Sequence, residues 1–239
     1  PKNKAYTLPV EIAGETVESK INRINGELAK IDADGILIVT LDAVAWTFNL
    51  RGNDVDYNPV AVAYAYVSKK ETVLFIDLEK ISDEVAYSYK ESGIKVTDYN
   101  EIFEYVSLFP EGHKVCVTGN KINWKLLQTI PSNCEIIDIP SPVDLMKSVK
   151  NETELAGFRN AMIKDGVAIV KFYMWLEEAV PAGEVTEVTV EEKLLEFRSQ
   201  QDLFVGESFA TIAGYKGNGA IVHYHAIQET CLKVEPEGL

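Results

Sequence analysis

The stretch AVAYAYVSKKETVLFID, residues 61–77, decides the fold class. Two apolar runs, rich in β-branched and aromatic residues, flank the polar connection VSKKE at 67–71. That pattern reads as two strands joined by a hairpin. Upstream, GILIVT (35–40) reads as a short strand covered on both faces. Downstream, IKVTDY (94–99), KVCVTG (114–119) and CEIIDI (134–139) are further strands. Helical segments separate them near 79–92, 99–108 and 122–130. TVESKINRINGELAKI (16–31) precedes the whole, with Val17, Ile21, Ile24, Leu28 and Ile31 at helical spacing. Helices alternating with strands give an α/β class, a mixed sheet flanked by helices over residues 1–145.

The pattern changes at IPSPVDLMKSVKNETE (139–154), which Pro140 and Pro142 punctuate. Asn151 is set to cap a helix, with Glu154 as its reciprocal partner. Leu155, Phe158, Met162, Ile169, Tyr173 and Leu176 then mark one face of a helix that ends at Pro181 and Gly183. A second helix starts near Thr186 or Thr189 and buries Val190, Leu194 and Phe197. SFATIAGY (208–215) and AIVHYHA (220–226) read as strands around the Gly-rich turn KGNGA. Residues 146–239 therefore form a second domain of α+β character. It is expected to be incomplete. The first residue is Pro1, so the sequence is expected to begin inside a longer chain or after processing.

Charge narrows the function. With 23 Lys+Arg against 37 Asp+Glu, the net charge of −14 repels nucleic acid and anionic membranes. No run of about 18 apolar residues and no secretory leader are present. Cys116, Cys134 and Cys231 are odd in number and widely spaced. They suit a reduced, cytoplasmic setting and no zinc motif.

Few residues suggest chemistry directly. On a strand, His223 and His225 point the same way, as a metal-binding pair does, yet no further ligand stands at a distinctive spacing. His225 reads equally as an ordinary polar histidine, and His113, in the turn PEGHK, as a surface one. RGNDVDYNP (51–59) imitates the start of a calcium loop, but Pro59 and Ala65 stand where that loop needs Gly and Glu. It is a structured connection instead, with an Arg51 that faces water or a carboxylate. Asp42, Trp46 and Arg51 read equally as packing and pairing residues. No phosphate loop, dinucleotide fingerprint or nucleophile elbow occurs.

FNLRG, DVDYNPV and GAIVHY together make the sequence resemble the three-domain form of the Xaa-Pro aminopeptidase (aminopeptidase P) family of metallopeptidases. The resemblance extends along VDLMKSVKNETELAGFRNAMIKDGVA, VTEVTVEEKLLEFRSQQ and SFATIAGYKGNGAIVHYHA. It implies a creatinase-like middle domain at 1–145 and the N-terminal part of a pita-bread catalytic domain at 146–239. It further implies a peptide substrate with proline second, two divalent metal ions (manganese) in the parent enzyme, and a homodimer. His223 matches the family histidine that contacts substrate beside the metals, and Arg51 is carried over as a substrate-side residue. All metal ligands are implied to lie beyond Leu239, so this chain alone is expected to hold no metal and to be inactive. Its second domain is expected to be dimer-packed or rearranged. A non-catalytic peptide- or protein-binding module and a prolidase-like dipeptidase are the rival readings.

Overall fold

The computed structural model describes residues 3–238. The chain divides into two compact units, up to Leu155 and from Ala156 onward. In chain order the first unit begins with β1 (Tyr6–Thr7), α1 (Val10–Ala13), α2 (Val17–Lys30), β2 (Gly35–Ile38), α3 (Leu41–Thr47) and β3 (Leu50–Arg51). The hairpin strands β4 (Ala63–Ser68) and β5 (Thr72–Ile76) follow, then α4 (Asp83–Glu91), β6 (Ile94–Thr97) and α5 (Glu101–Ser107). β7 (Lys114–Val117), α6 (Trp124–Thr129), β8 (Glu135–Asp138) and α7 (Pro142–Ser148) complete the run, before α8 (Glu152–Ala182) leads onward.

Six strands form one mixed sheet in the order β6-β5-β4-β2-β7-β8. The hairpin pairs β4 with β5 antiparallel, Ala65 opposite Leu74. β2 joins β4 antiparallel and β7 parallel, while β6 and β8 extend the sheet in parallel. Side chains alternate across the sheet, and both faces are covered. Ile36, Ile38, Val67, Leu74 and Ile76 pack into one core with Ile24 and Leu28 of α2. Leu37, Tyr66, Val73, Phe75 and Val115 pack into the other, with Ile102, Val106 and Leu126 of α5 and α6. Burial on both faces is why these strands read as continuous apolar runs rather than alternating ones. Ile31 departs from its expected place. It lies just past the end of α2 and is exposed.

His113 is not a surface residue. Its Nε2 lies 2.9 Å from the Tyr66 hydroxyl, its ring 4.5 Å from that of Phe109, and its Nδ1 3.6 Å from Asp34. The Tyr66 hydroxyl, on a residue only 3% exposed, needs a partner in the interior, and His113 supplies it. Burial lowers the imidazole pKa. Asp34 opposes that shift, and Lys70 adds to it. The RGNDVDYNP connection is structured as expected. Asp54 accepts from Val62 N at 2.7 Å and pairs with the buried Lys80.

The junction at 139–155 forms as the sequence indicates. Asn151 Oδ1 accepts from Glu154 N, and Glu154 Oε2 accepts from Asn151 N, each at 2.9 Å. Asn151 also donates to Ala13 O at 2.9 Å. It occupies the space beside Gly14 that a Cβ would fill, and Gly14 has a left-handed φ of 72°. Val143 of α7 is buried in the first unit's core.

In the second unit α9 (Glu187–Ser199) follows α8, with Thr186 capping it. Two expectations fail here. SFATIAGY and AIVHYHA form no strand; a short 3-10 turn at Lys216–Ala220 and irregular backbone take their place. A strand exists only where another strand takes up its hydrogen bonds. Among the described residues of this unit the only β pairing is an isolated bridge, Thr186 with Lys233. The predicted face of α8 is also displaced. Phe158, Met162 and Tyr173 are exposed, while Ala168, Phe172 and Ala179 are buried. The helix carries more than one apolar stripe, and periodicity alone does not choose between them. Val190, Leu194 and Phe197 of α9 are half-buried.

Gly35 gives a direct test of the sheet. A Cβ added there would lie 2.2 Å from the Tyr66 hydroxyl. Gly35→Ala is expected to destabilise the first unit by about 1–3 kcal/mol, the usual cost of overpacking. Urea unfolding checks it, and an unchanged midpoint contradicts the packing described.

Candidate functional site

Arg51 belongs to the first unit. It ends β3, which pairs with β1 so that Tyr6 faces Arg51. The expectation that Arg51 meets water or a carboxylate is corrected. Its Nη1 donates to the carbonyls of Ala45 (2.8 Å) and Leu50 (2.9 Å). Ala45 lies in the last turn of α3, whose carbonyls have no partner further along the helix, so a cation is well placed there. Burial lowers the guanidinium pKa, against the pull of Tyr6 and Glu154.

Beside it lies a residue that sequence reasoning missed. Lys20 sits on α2 and is 1% exposed. Its Nζ donates to Trp46 O at 2.8 Å and Asn49 Oδ1 at 2.6 Å, and stands 4.4 Å over the Trp46 ring. Burial pushes its pKa down to about 8, with Glu15 and Glu154 opposing. Nothing in the sequence marks Lys20, since a lysine inside an amphipathic repeat reads as solvent-facing. Asp42 pairs with Lys147, and Trp46 is packed, as their alternative reading had it.

His223 belongs to the second unit, as does His225, and both side chains are exposed. With no strand there, the alternation that would aim them together does not apply. His223 instead stands in left-handed backbone, φ 55°. A residue with a Cβ is uncommon there and strained by roughly 1 kcal/mol or more.

The segment that carries His223 is anchored by Glu187, in the first turn of α9, a second residue that sequence reasoning missed. Glu187 is 1% exposed. Its carboxylate accepts from Tyr215 N (2.6 Å), Asn218 Nδ2 (3.0 Å), Tyr224 Oη (2.7 Å) and Leu232 N (2.8 Å). Burial alone would raise the carboxyl pKa, but the donors from Leu232, Tyr215, Tyr224 and Asn218 outweigh it and leave it below the ordinary value. An acidic residue just after a helix cap normally faces water, so the sequence held no sign of this role.

Among the described residues no three of His, Cys, Asp and Glu converge as a metal ion requires. Glu187 is already filled by hydrogen-bond donors. The described residues therefore do not fit a two-metal centre. Nor is any helix among them long and apolar enough to cross a membrane.

Two family descriptions match the chain. Creatinase/Prolidase N-terminal domain covers residues 1–154, and Metallopeptidase family M24 covers 156–237. Curated relatives include a probable Xaa-Pro aminopeptidase P of Arthroderma benhamiae, 36% identical over the whole of this chain and 36% of its own length. One from Coprinopsis cinerea is 36% identical over 99% of this chain and 40% of its own length. The chain thus spans well under half the length of these relatives. Among solved structures, the X-prolyl aminopeptidase of Caenorhabditis elegans, a cytosolic enzyme with a di-nuclear active site, superposes with a TM-score of 0.80 at 30% identity. That match covers 87% of this chain and 35% of the other. The prolidase of Pyrococcus horikoshii shares the fold at a TM-score of 0.55 and 16% identity, over 90% of this chain and 57% of the other.

Lys20 predicts a pH dependence. Its folded pKa of about 8 lies below the ordinary 10.5. Between those values the unfolded chain holds a proton that the folded chain has lost. Stability from this site therefore rises as pH climbs from about 8 to about 10, and is constant below that window. The neutral amine still donates to both acceptors. Burial pushes the Cys116 thiol up to about 11 and the Tyr89 hydroxyl upward as well, so these groups titrate near this window in the unfolded chain, and the difference between wild type and Lys20→Met isolates the site. That difference is expected to move in favour of the wild type by on the order of 2 kcal/mol. A difference that stays flat with pH contradicts the burial of this amine.

Proposed function

Because this chain belongs to the creatinase/prolidase family, a creatinase/prolidase N-terminal domain followed by a metallopeptidase family M24 segment, we propose that it serves an Xaa-Pro aminopeptidase. In this reading it supplies the middle domain and the beginning of the catalytic domain of an enzyme that removes the first residue of a peptide whose second residue is proline. The likeness to the nematode enzyme, 30% identical at a TM-score of 0.80, supports it most strongly. We place the domain boundary at residues 145/146, within α7; the two compact units part ten residues later, after Leu155. Two divalent metal ions, manganese by preference, belong to the whole protein, with ligands outside the described residues.

The chemistry asked of this chain falls on His223. Histidine stands where the backbone would favour glycine, which supports a role for its side chain. An exposed imidazole N–H is suited to donate to the oxygen on which charge develops when the amide is attacked. Such a donor stabilises the transition state more than the ground state. The Xaa-Pro amide has no N–H and a fixed ring, so it requires a dedicated site rather than one built to bind an extended peptide backbone. Arg51 is assigned to the substrate side, though its hydrogen bonds to backbone carbonyls support a positioning part over direct contact. The protein is read as cytoplasmic and homodimeric.

The test is a paired assay. The 239-residue chain is compared with a chimaera that continues it with the remaining C-terminal sequence of a full-length relative. Each is given a tripeptide with proline second, with and without Mn²⁺. The chimaera is expected to release the first residue in a metal-dependent way, and the chain alone to be silent. His223→Ala in the chimaera should lower kcat/KM by roughly 10²-fold, the size of losing one oxyanion donor. Turnover by the chain alone, or a His223→Ala chimaera as active as its parent, contradicts the proposal. Silence from both proteins favours a non-catalytic module, and cleavage of dipeptides only favours a prolidase-like enzyme.

A further inference from the structure

One buried group in the second unit has no part in the assignment above, yet the histidine's segment is built around it. Glu187 is held in place from its own side as well, its backbone N donating to Leu232 O at 3.1 Å. Its carboxylate grips the chain before His223, at Tyr215 N and Asn218 Nδ2, and after it, at Tyr224 Oη and Leu232 N. The Asn218 amide also donates to the Tyr224 hydroxyl at 2.9 Å, closing the circuit around residues 218–224. Every partner is a donor, so a charged carboxylate satisfies all of them and a neutral amide of the same shape does not. Within this circuit two non-glycine residues keep left-handed backbone, Lys216 (φ 48°) and His223 (φ 55°). Strained backbone persists only where its surroundings over-determine it.

We propose that Glu187 is the positioning residue of His223: the buried carboxylate clamps the chain on both sides of that histidine and so sets where its imidazole lies. The inference rests on the reading of His223 as a substrate contact. It adds that the contact is placed by a residue 36 positions earlier that touches no substrate. Glu187 acts through Asn218 and Tyr224, while His223 remains exposed and free to meet a ligand.

The experiment follows the His223 ring by NMR in the 239-residue chain, with its resonances assigned by their loss in His223→Asn. In Glu187→Gln they are expected to move toward the values of an unstructured histidine, while amides of the first unit stay in place. Tyr224→Phe removes one donor and keeps the carboxylate, and should move the His223 ring by a smaller amount. Ring resonances that stay put in both variants overturn the proposal. If Glu187→Gln fails to fold, Tyr224→Phe decides alone on the same criterion. A second readout uses the active chimaera, where Tyr224→Phe should lower kcat several-fold with KM within about twofold. An unchanged kcat there overturns the proposal if His223→Asn in the same chimaera lowers turnover. If His223→Asn leaves turnover intact, the reading of His223 fails instead, and the ring shifts still decide whether Glu187 positions it.

Discussion

A charge taken out of water obliges the chain to bring partners to it, and each unit of this protein holds such a charge. In the second unit it is the Glu187 carboxylate. Tyr215, Asn218, Tyr224 and Leu232 come from segments with little regular structure, and donors to one residue give them a common anchor. Apart from it, the stretch 200–238 is held by turns, a single bridge and scattered polar contacts such as Lys164 with Asp202 O and Arg198 with Glu207. In the first unit Lys20 has the corresponding part on a smaller scale. Its amine draws together α2, the end of α3 and Asn49 beneath the Trp46 ring. Neither group is a catalyst by its own geometry, since both are enclosed and committed to hydrogen bonds within the fold.

This arrangement separates stability from chemistry. The inner strands β2, β4, β5 and β7 are covered on both faces and are held by apolar packing and ladder hydrogen bonds. In the proposed reading, function falls on the irregular segment, where a histidine can be held in an unfavoured backbone shape and still be exposed. A regular strand would have set His223 by its neighbours' register. A turn clamped by a carboxylate sets it by hydrogen bonds, which a single substitution can alter.

How much the sequence disclosed follows the same division. The hairpin at 61–77, the strands at 35, 94, 114 and 135, and the Asn151–Glu154 cap are all local patterns, and each formed. The family was legible in FNLRG, DVDYNPV and GAIVHY. What stayed hidden depends on partners distant in sequence. Lys20 and Glu187 are polar residues buried, and His113 one half-buried, by segments far along the chain, and no spacing rule announces that. The strand pattern at 220–226 was real as a propensity but found no ladder. α8 has apolar residues around much of its girth, so its period did not say which stripe would be covered.

The most direct measurement is a crystal structure of the chimaera with a slowly cleaved peptide carrying proline at its second position. The quantity to read is the distance from the His223 imidazole to the carbonyl oxygen of the first residue. The account predicts a hydrogen bond, about 2.7–3.1 Å, with Glu187 still holding Asn218 and Tyr224. A peptide bound productively with that oxygen met by another group, and His223 turned away, would contradict it.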